Sequence, residues 1–338
     1  MTISLPRTKA SNYRTPLFHW TPEEYQKFGQ TAHLTHHRYH ELPLFSDAAL
    51  IDLLDNYPRP HLQAFTMGHD PTRRDEWQCV DIAPETTGED IWKAVCHGRL
   101  WLSLIKVESF NQDYTDLIDG MYDQIDRNCP QLGGIRSSHS VLLISSPGTQ
   151  LYYHLDMAPN MLWNMRGQEI VWSYPAMHPD LVPQEMLEDI YAEEIDEELP
   201  FDLSFDRLAK KFTMEAGDVM WWPRNAPHRL EYPDLNISIT TSYHTPFLRR
   251  RDTVQLANRF ILRELGIKHR SMREDGLSAQ IKSLMYRAIN RIRPFQGRDS
   301  TAAYVTDLLL DPNEPCGFRR LPQKRPAAFA NLREKENP

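Results

Sequence analysis

The sequence predicts an α+β protein with a mainly β core, α/β elements before the core and helices after it. Residues 139–175 and 211–245 consist of short apolar runs broken by turns, a pattern typical of a β-sandwich or β-barrel. Residues 46–58 and 251–266 carry apolar side chains at helical spacing. The chain has 338 residues with a hydrophobic content of 41%, so it can form an extended core.

Residues 1–95 are predicted to form an N-terminal arm followed by a helical and strand extension. Thr21, Pro22 and Glu24 are typical of a helix start, in the segment TPEEYQKFGQTAHLTHHRYHE. Capping residues and apolar periodicity also predict the helices and strands between this helix and the core. These are helices at 46–58, 87–98 and 111–128, and strands at 62–68 and 99–107.

Residues 96–248 are predicted to be the catalytic core. The segment 183–210 inside it is helical and strongly acidic, so we interpret it as an insert between two β blocks. Such a run is usually a solvated face, although at this position it could also recognise a basic substrate. The eight predicted strands of the core are HSVLLISS, QLYYHL, NMLWNM, EIVWSYP, KFTME, DVMWWP, HRLEY and LNISITTSYHT.

Residues 249–338 are predicted to be a C-terminal helical region. Helices are expected at 251–266 and 278–290, and the chain from residue 291 onward is expected to be mostly irregular. The first helix has an apolar face that would pack on the core or form a dimer. Its flanks are basic, but a packing role is favoured over nucleic-acid binding.

Composition excludes several classes of function. The net charge of −8 gives no general attraction for nucleic acid. No apolar run reaches the roughly 18 residues of a membrane span, and the start of the chain lacks the apolar region of a signal peptide. The four cysteines show no metal-like spacing. These features predict a cytoplasmic protein with free thiols.

His154 and Asp156 form the motif that carries chemistry. Two residues apart on a strand, they point to the same face and supply two metal ligands. His228, in a frame that begins at Gly217-Asp218, is the best candidate for the third. Two histidines and one carboxylate are typical of non-haem Fe(II) oxygenases, in which open positions take O2 and a co-substrate. A single HxD is common by chance, so the prediction depends on all three residues.

A second histidine cluster invites a similar interpretation. His33, His36, His37 and His40 are spaced so that, on a helix, three of them share one face. They could form a second metal site. The favoured alternative is a polar helix face packed against the core or a partner.

The region 139–245 resembles the cupin-type, double-stranded β-helix domain of the JmjC family of Fe(II)- and 2-oxoglutarate-dependent oxygenases. The resemblance is carried by His154-Leu155-Asp156 and by the segments NMLWNMRGQEIVWSYP, FTMEAGDVMWWPRNAPHRL and LNISITTSYH. It implies a dioxygenase with Fe(II), 2-oxoglutarate and O2 that hydroxylates a C–H bond of a small molecule or of a peptide or protein side chain. It also implies a homodimer through the C-terminal helices.

Carried over by position, the resemblance makes His154, Asp156 and His228 the iron ligands and catalytic residues. Asn160 matches a polar position that faces the metal pocket, or it is a turn residue. The chain departs from the family where 2-oxoglutarate is usually anchored. A cation is expected at Glu169, and Leu151 and Trp101 replace the usual hydroxyl-bearing side chains.

These departures leave three alternatives open. A shifted register could let Arg166 bind the far carboxylate, another cation could replace it, or the site could bind a different ligand. The last alternative includes a metal-binding, cupin-like sensor or binding protein that does not turn over 2-oxoglutarate. The substitute cations are Arg136, Lys106 and Arg224, and the possible hydrogen-bonding residues are Tyr152, Tyr153, Ser242, Tyr243 and His244.

Overall fold

The computed structural model describes residues 13–195, 197, 199–292, 294 and 304–329. In this part of the chain the strands form one large sheet, one smaller sheet and a separate hairpin. The helices are α1 (Pro22–Lys27), α2 (Asp47–Asn56), α3 (Gly88–His97), α4 (Val107–Phe110), α5 (Gln112–Asn128), α6 (Gln184–Tyr191), α7 (Pro246–Ala257) and α8 (Gly276–Ile292). The strands are β1 (His33–His36), β2 (Leu62–Thr66), β3 (Gln78–Cys79), β4 (Leu100–Ile105), β5 (Arg136–Ser145), β6 (Thr149–His154), β7 (Asn160–Arg166), β8 (Glu169–Ser173), β9 (Lys210–Met214), β10 (Asp218–Trp221), β11 (His228–Tyr232), β12 (Asn236–His244), β13 (Val305–Leu310) and β14 (Phe318–Pro326).

Two antiparallel sheets form the core. The larger has the order β1-β10-β7-β12-β5-β4-β2-β3, and the smaller has the order β6-β11-β8-β9. Apolar side chains from both sheets meet in one buried cluster, which includes Leu143 and Met220 from the larger sheet and Val171 and Leu230 from the smaller. Side chains alternate between the two faces of each strand, so every strand contributes to this interior. The predicted fold class is confirmed, and all eight predicted core strands are present.

The turn between β7 and β8 requires glycine. Gly167 has a φ of 74°, and a Cβ atom there would lie 2.2 Å from the Leu235 carbonyl oxygen. Both facts exclude a side chain at this position. The turn fixes the start of β8, which is the strand that carries Glu169 into the interior.

The outer face of the larger sheet packs on the N-terminal helices. Trp163 and Trp221 are fully buried there, and Trp20 stacks on Trp163 with ring centroids 6.0 Å apart. The predicted helix start is confirmed, because Thr21 and Glu24 form a complete capping box. The extension thus covers one side of the core, while the boundaries 1–95, 96–248 and 249–338 stay predictions.

The prediction of a helix through the second histidine cluster is wrong. Residues His33–His36 form strand β1, which pairs with β10 at the edge of the larger sheet. His36 Nδ1 lies 2.6 Å from Asp218 Oδ1, and the His37 ring bonds to the Asp218 carbonyl. Edge pairing has overridden a periodicity that suggested a helix. Within the described residues the cluster is not a candidate metal site.

The acidic insert is held by arginines from the C-terminal region. Glu188 is fully buried in a bidentate ion pair with Arg270, and Asp189 accepts from Arg263 at 2.5 Å. Arg259 also binds Glu194. These contacts neutralise part of the acidic run within the chain, and recognition of a basic substrate by this segment stays a prediction. Residues 196 and 198 of this segment lie outside the described residues.

The C-terminal region contains more regular structure than expected. Helices α7 and α8 match the predicted segments, but residues 305–326, predicted to be irregular, form the β13–β14 hairpin. Asp81 bridges to Leu309 and attaches the hairpin to the rest of the chain. Strand β14 contains two prolines, Pro322 and Pro326, and four basic residues among its nine, so its strand character depends on its partner. In the described residues no helix combines the length and apolar character that crossing a bilayer requires.

Candidate metal centre

His154, Asp156 and His228, which we call the metal triad, converge at one end of the two-sheet interior. His154 ends β6 and His228 begins β11, and the two are partners in the antiparallel register. Asp156 lies two residues beyond the end of β6, and its carboxylate oxygens lie 3.9 Å from His154 Nε2 and 3.5 Å from His228 Nε2. One ligand atom from each residue lies within 4.8 Å of the others. The prediction that the three residues meet is confirmed.

Backbone and side-chain contacts orient the triad. His154 Nδ1 donates to the Tyr152 carbonyl at 2.7 Å, and His228 Nδ1 donates to the Ala226 carbonyl at 3.2 Å. A carbonyl can only accept, so both imidazoles direct an Nε2 lone pair toward the shared space. Asn160 Nδ2 donates to the Asp156 carboxylate at 3.3 Å. The polar position at Asn160 therefore acts on a ligand rather than as a turn residue.

Burial keeps the two imidazoles neutral. It lowers the pKa of His154 to about 3 and that of His228 to about 4, and for His154 the neighbouring His228 adds to the effect. Burial raises the pKa of the Asp156 carboxyl group, which His154 partly opposes. A buried carboxylate flanked by two neutral nitrogen donors is stabilised by a divalent cation. The donor set fits a borderline metal such as Fe(II) and leaves further coordination positions open.

Two of the five predicted co-substrate residues face the interior, and three do not. Ser242 pairs with Asn160 across β12 and β7, and Asn160 Oδ1 accepts from Thr240 Oγ1 at 2.7 Å. Ser242 lies two residues from Thr240, so it shares its face.

The predictions for Tyr153, Arg166 and Tyr243 are wrong. Tyr153 is adjacent to His154 and therefore points to the other face, where its hydroxyl donates to the Leu181 carbonyl at 3.3 Å. Arg166 binds Asp47 at 2.5 Å at the opposite end of β7. Tyr243 stacks on the Phe28 ring on the outer face of the larger sheet, with centroids 5.3 Å apart. Of the substitute cations, Arg136 pairs with Asp126. Arg224 pairs with both Asp252 and Glu274.

Two residues near the triad, Trp222 and Glu197, were not among the predicted site residues. The Trp222 ring centroid lies 4.4 Å from that of His228, and Trp222 opposes the rise in the Asp156 pKa that burial causes. Glu197, from the acidic insert, accepts from the Met157 amide at 3.0 Å. The second tryptophan of the WWP segment was a usable signal for Trp222. Nothing local marks Glu197, because its position depends on how the insert folds back.

A cavity of about 940 Å³ reaches the triad at His154. Its walls come from the β2–β3 region, the acidic insert and the C-terminal hairpin. It is wide enough for a small molecule or for a side chain of a peptide. The residues that line it include Phe65, Arg74, Trp77, His154, Glu197, Tyr304, Asp307, Arg320 and Lys324.

The interior does not fit the far carboxylate of 2-oxoglutarate at the position where the family anchors it. Glu169 is fully buried there, and neither carboxylate oxygen has a hydrogen-bond partner among the described residues. Burial raises the Glu169 pKa to about 8, and the nearby Asp218 contributes. Leu151 and Trp101 are also buried in the same interior cluster. Among the described residues no cation acts on Glu169, and once ionised it would repel a second carboxylate at low effective dielectric.

Replacing Glu169 with glutamine is expected to change how stability depends on pH. The Glu169 pKa rises from 4.5 to about 8 on folding, so between these values the folded state holds a proton that the unfolded state has released. Its contribution to the free energy of unfolding is fully present below pH 4.5 and is lost as pH rises toward 8. The free energy of unfolding of the wild type minus that of Glu169→Gln should fall by roughly 1.4 kcal/mol for each unit by which the pH rises in this range. Denaturant titrations across this range would measure it, and parallel pH profiles would contradict it.

Comparisons with known proteins show a structural likeness at low identity. No family model matches the chain, and no curated protein matches it. A structure described as the X-ray structure of Escherichia coli YcfD aligns with a TM-score of 0.49 and 15% identity, covering 82% of this chain and 70% of that chain. A second structure is described as the E. coli ribosomal oxygenase YcfD in complex with cobalt and 2-oxoglutarate. It aligns with a TM-score of 0.48 and 15% identity, covering 83% of this chain and 69% of that chain. These values are too low to transfer an activity, ligand or substrate to this chain.

Proposed function

We propose that this protein is a mononuclear, Fe(II)-dependent oxygenase that acts on a C–H bond of a small molecule or of a peptide side chain. The observation that carries the proposal is the metal triad, in which two neutral imidazoles and one carboxylate converge within 4.8 Å. Its position at the end of a large cavity supports a catalytic site, because a structural metal would be closed off from substrate. Fe(II) held by such a set supplies one-electron and O2 chemistry.

The chain's own residues then have distinct roles. Tyr152 and Ala226 hold the two imidazoles through their carbonyls, and Asn160 holds the carboxylate. Trp222 and the apolar interior limit the access of water to the triad. The aromatic and charged walls of the cavity would orient the substrate in front of His154.

Oxygen uptake tests the proposal. Protein loaded with Fe(II) and ascorbate should consume O2 in the presence of a suitable chelating co-substrate and substrate, and the Asp156→Ala variant should not. With 2-oxoglutarate as co-substrate, turnover would also release succinate. If the wild type and the Asp156→Ala variant show the same Fe(II)-dependent O2 uptake, the triad is not the reacting centre.

A second candidate function is a metal-binding, cupin-like sensor or binding protein that does not turn over 2-oxoglutarate. The environment of Glu169 favours it, because the usual anchor is replaced by a buried acid. Calorimetry on the Mn(II) or Zn(II) form separates the candidates. The 2-oxoglutarate-dependent enzyme requires 2-oxoglutarate or its unreactive analogue N-oxalylglycine to bind, whereas the second candidate requires that neither binds.

We also propose that the chain forms a homodimer through α8. Leu277, Ile281 and Leu284 follow a helical i, i+4, i+7 spacing and are 72%, 51% and 71% exposed. Such an apolar stripe is typical of an interaction surface. Light scattering should give twice the monomer mass for the wild type and the monomer mass for Leu284→Glu. Leu203→Glu, at a residue 57% exposed elsewhere, is the control, and a monomeric wild type would contradict the proposal.

A further inference from the structure

Four buried polar side chains face one another in the interior between the two sheets, away from the metal triad. We call Trp101, Ser145, Glu169 and Tyr232 the inner polar cluster. Trp101 and Ser145 come from paired positions on β4 and β5, and the other two come from β8 and β11 of the opposite sheet. All four are less than 10% exposed. The cluster therefore spans the interior from one sheet to the other.

None of the four side chains has a partner at full hydrogen-bond geometry among the described residues. This holds for Trp101 Nε1, Ser145 Oγ, both Glu169 oxygens and the Tyr232 hydroxyl. Trp101 and Ser145 do approach the Tyr232 hydroxyl closely enough to oppose the rise in its pKa, which shows that these groups converge. Buried polar groups in folded proteins are nearly always bonded, and a group that is not bonded calls for a specific explanation. Four such groups in one place indicate a ligand site.

The cluster lies in line with the metal triad. Glu169, Val171 and Ser173 are buried on one face of β8, and Ser173 pairs with His228. Glu169 is thus four residues, or roughly 13 Å along the strand, from the metal end of β8. The Glu169 side chain and a bound ligand together can span this distance. A ligand bound at the metal by one end can therefore reach the cluster with the other.

The charge of the cluster defines what that other end can be. Once ionised, Glu169 can only accept hydrogen bonds, and the charged group that acts on it is the carboxylate of Asp218. The only other titratable member, Tyr232, is kept protonated by burial, and the charge of Glu169 raises its pKa further. Among the described residues, no cation contributes to the Glu169 pKa. An ionised Glu169 would repel a carboxylate end, whereas a hydroxyl or ammonium end would donate to it and stabilise its ionised form.

We propose that the inner polar cluster binds the hydrogen-bond-donating end, a hydroxyl or an ammonium group, of a small chelating ligand whose other end binds the metal. Glu169 determines this specificity and selects against dicarboxylates such as 2-oxoglutarate. The inference depends on the metal-binding part of the proposed function. It differs from that function because it names the class of ligand that shares the metal site.

Three chelators that differ only at the far end test the proposal. N-oxalylglycine ends in a carboxylate, N-(2-hydroxyethyl)oxamate in a hydroxyl, and N-(2-aminoethyl)oxamate in an ammonium group. All three present the same oxamate to the metal. Calorimetry on the Mn(II)-loaded protein at pH 8.5, above the Glu169 pKa of about 8, should show that at least one donor-ended compound binds about tenfold or more tightly than N-oxalylglycine.

Two substitutions show whether Glu169 is responsible. Glu169→Gln keeps the shape and should reduce the preference for the ammonium compound, and Glu169→Lys should reverse the preference toward N-oxalylglycine. Glu85→Lys makes the same charge change at an exposed position and should leave all three affinities unchanged. If Glu169→Lys does not fold, the affinities of the three compounds for the wild type and for Glu169→Gln still show whether Glu169 sets the preference.

The outcomes separate the inference from the proposed function. If Mn(II) binds but N-oxalylglycine is the tightest of the three compounds, the inference is wrong and the metal centre stands. The inference is also wrong, with the metal centre intact, if Mn(II) binds and none of the three compounds does. Failure of Mn(II) itself to bind the wild type overturns the metal centre, and the inference with it.

Discussion

Asp156→Ala is expected to lower divalent-metal affinity by at least about 100-fold, since loss of mere supporting contacts to metal ligands already costs 10–100-fold. Asp156 provides the only carboxylate of the triad, and its oxygens lie 3.9 Å and 3.5 Å from the two imidazole nitrogens. Removing it leaves two neutral donors that cannot offset the charge of the ion. Equilibrium dialysis with metal analysis, or calorimetry with Mn(II), would measure the change.

The same variant should fold normally. The Asp156 side chain is 18% exposed and burial raises its pKa, so its removal relieves a partly buried acid rather than breaking a strong contact. Asp180→Ala, at an exposed aspartate, is the matched control and should retain one metal per chain. A folded Asp156→Ala protein that binds metal as tightly as wild type would show that the ion is held elsewhere.

Arg270→Met is expected to destabilise the protein by about 3–5 kcal/mol, the usual cost of leaving a buried charge without its partner. The Arg270 guanidinium donates two bonds of 2.9 Å to Glu188, whose side chain is fully buried. The methionine variant retains most of the volume but removes the cation from the Glu188 carboxylate, which keeps a 2.8 Å hydrogen bond from the Gln184 amide. Urea denaturation would give the free energy of unfolding.

Two further variants isolate the cause. Arg273→Met, at an arginine 79% exposed and paired with Asp275 at the surface, should change stability by less than about 0.5 kcal/mol. The double variant Glu188→Leu/Arg270→Met should recover most of the loss, because both charges are gone. If the double variant is as unstable as Arg270→Met alone, packing rather than charge explains the effect.

The core and its metal triad could be predicted because their signals are local. Short alternating runs separated by turns define the eight strands, and the spacing of His154 and Asp156 places both on one face. The turn before β10 and the tryptophans after it identify the strand that leads to His228. Each of these signals depends on a few neighbouring residues and on the two-residue period of a strand.

The two tyrosines predicted for the co-substrate site face elsewhere for the same physical reason. Tyr153 and Tyr243 are chemically suitable, but each is adjacent to a residue that faces the interior, so the pleat turns it outward. The period that placed His154 correctly would have excluded both. Arg166 fails for a different reason, because it ends its strand beside α2 and pairs with Asp47.

Other features could not be read from the sequence. The strand β1 exists because it pairs with β10, which lies about 180 residues away. The hairpin that lines the cavity is basic and contains proline, and only long-range pairing makes it regular. The departure at Glu169 was visible in the sequence, whereas its lack of partners became evident only when both sheets were in place.

A crystal structure of the protein with Zn(II), with anomalous data at the zinc edge, tests the central claim most directly. We expect one strong peak within about 2.0–2.2 Å of His154 Nε2, His228 Nε2 and an Asp156 oxygen. A fully loaded crystal in which the peak lies away from these three atoms, or in which only one of them contacts the ion, would contradict the account.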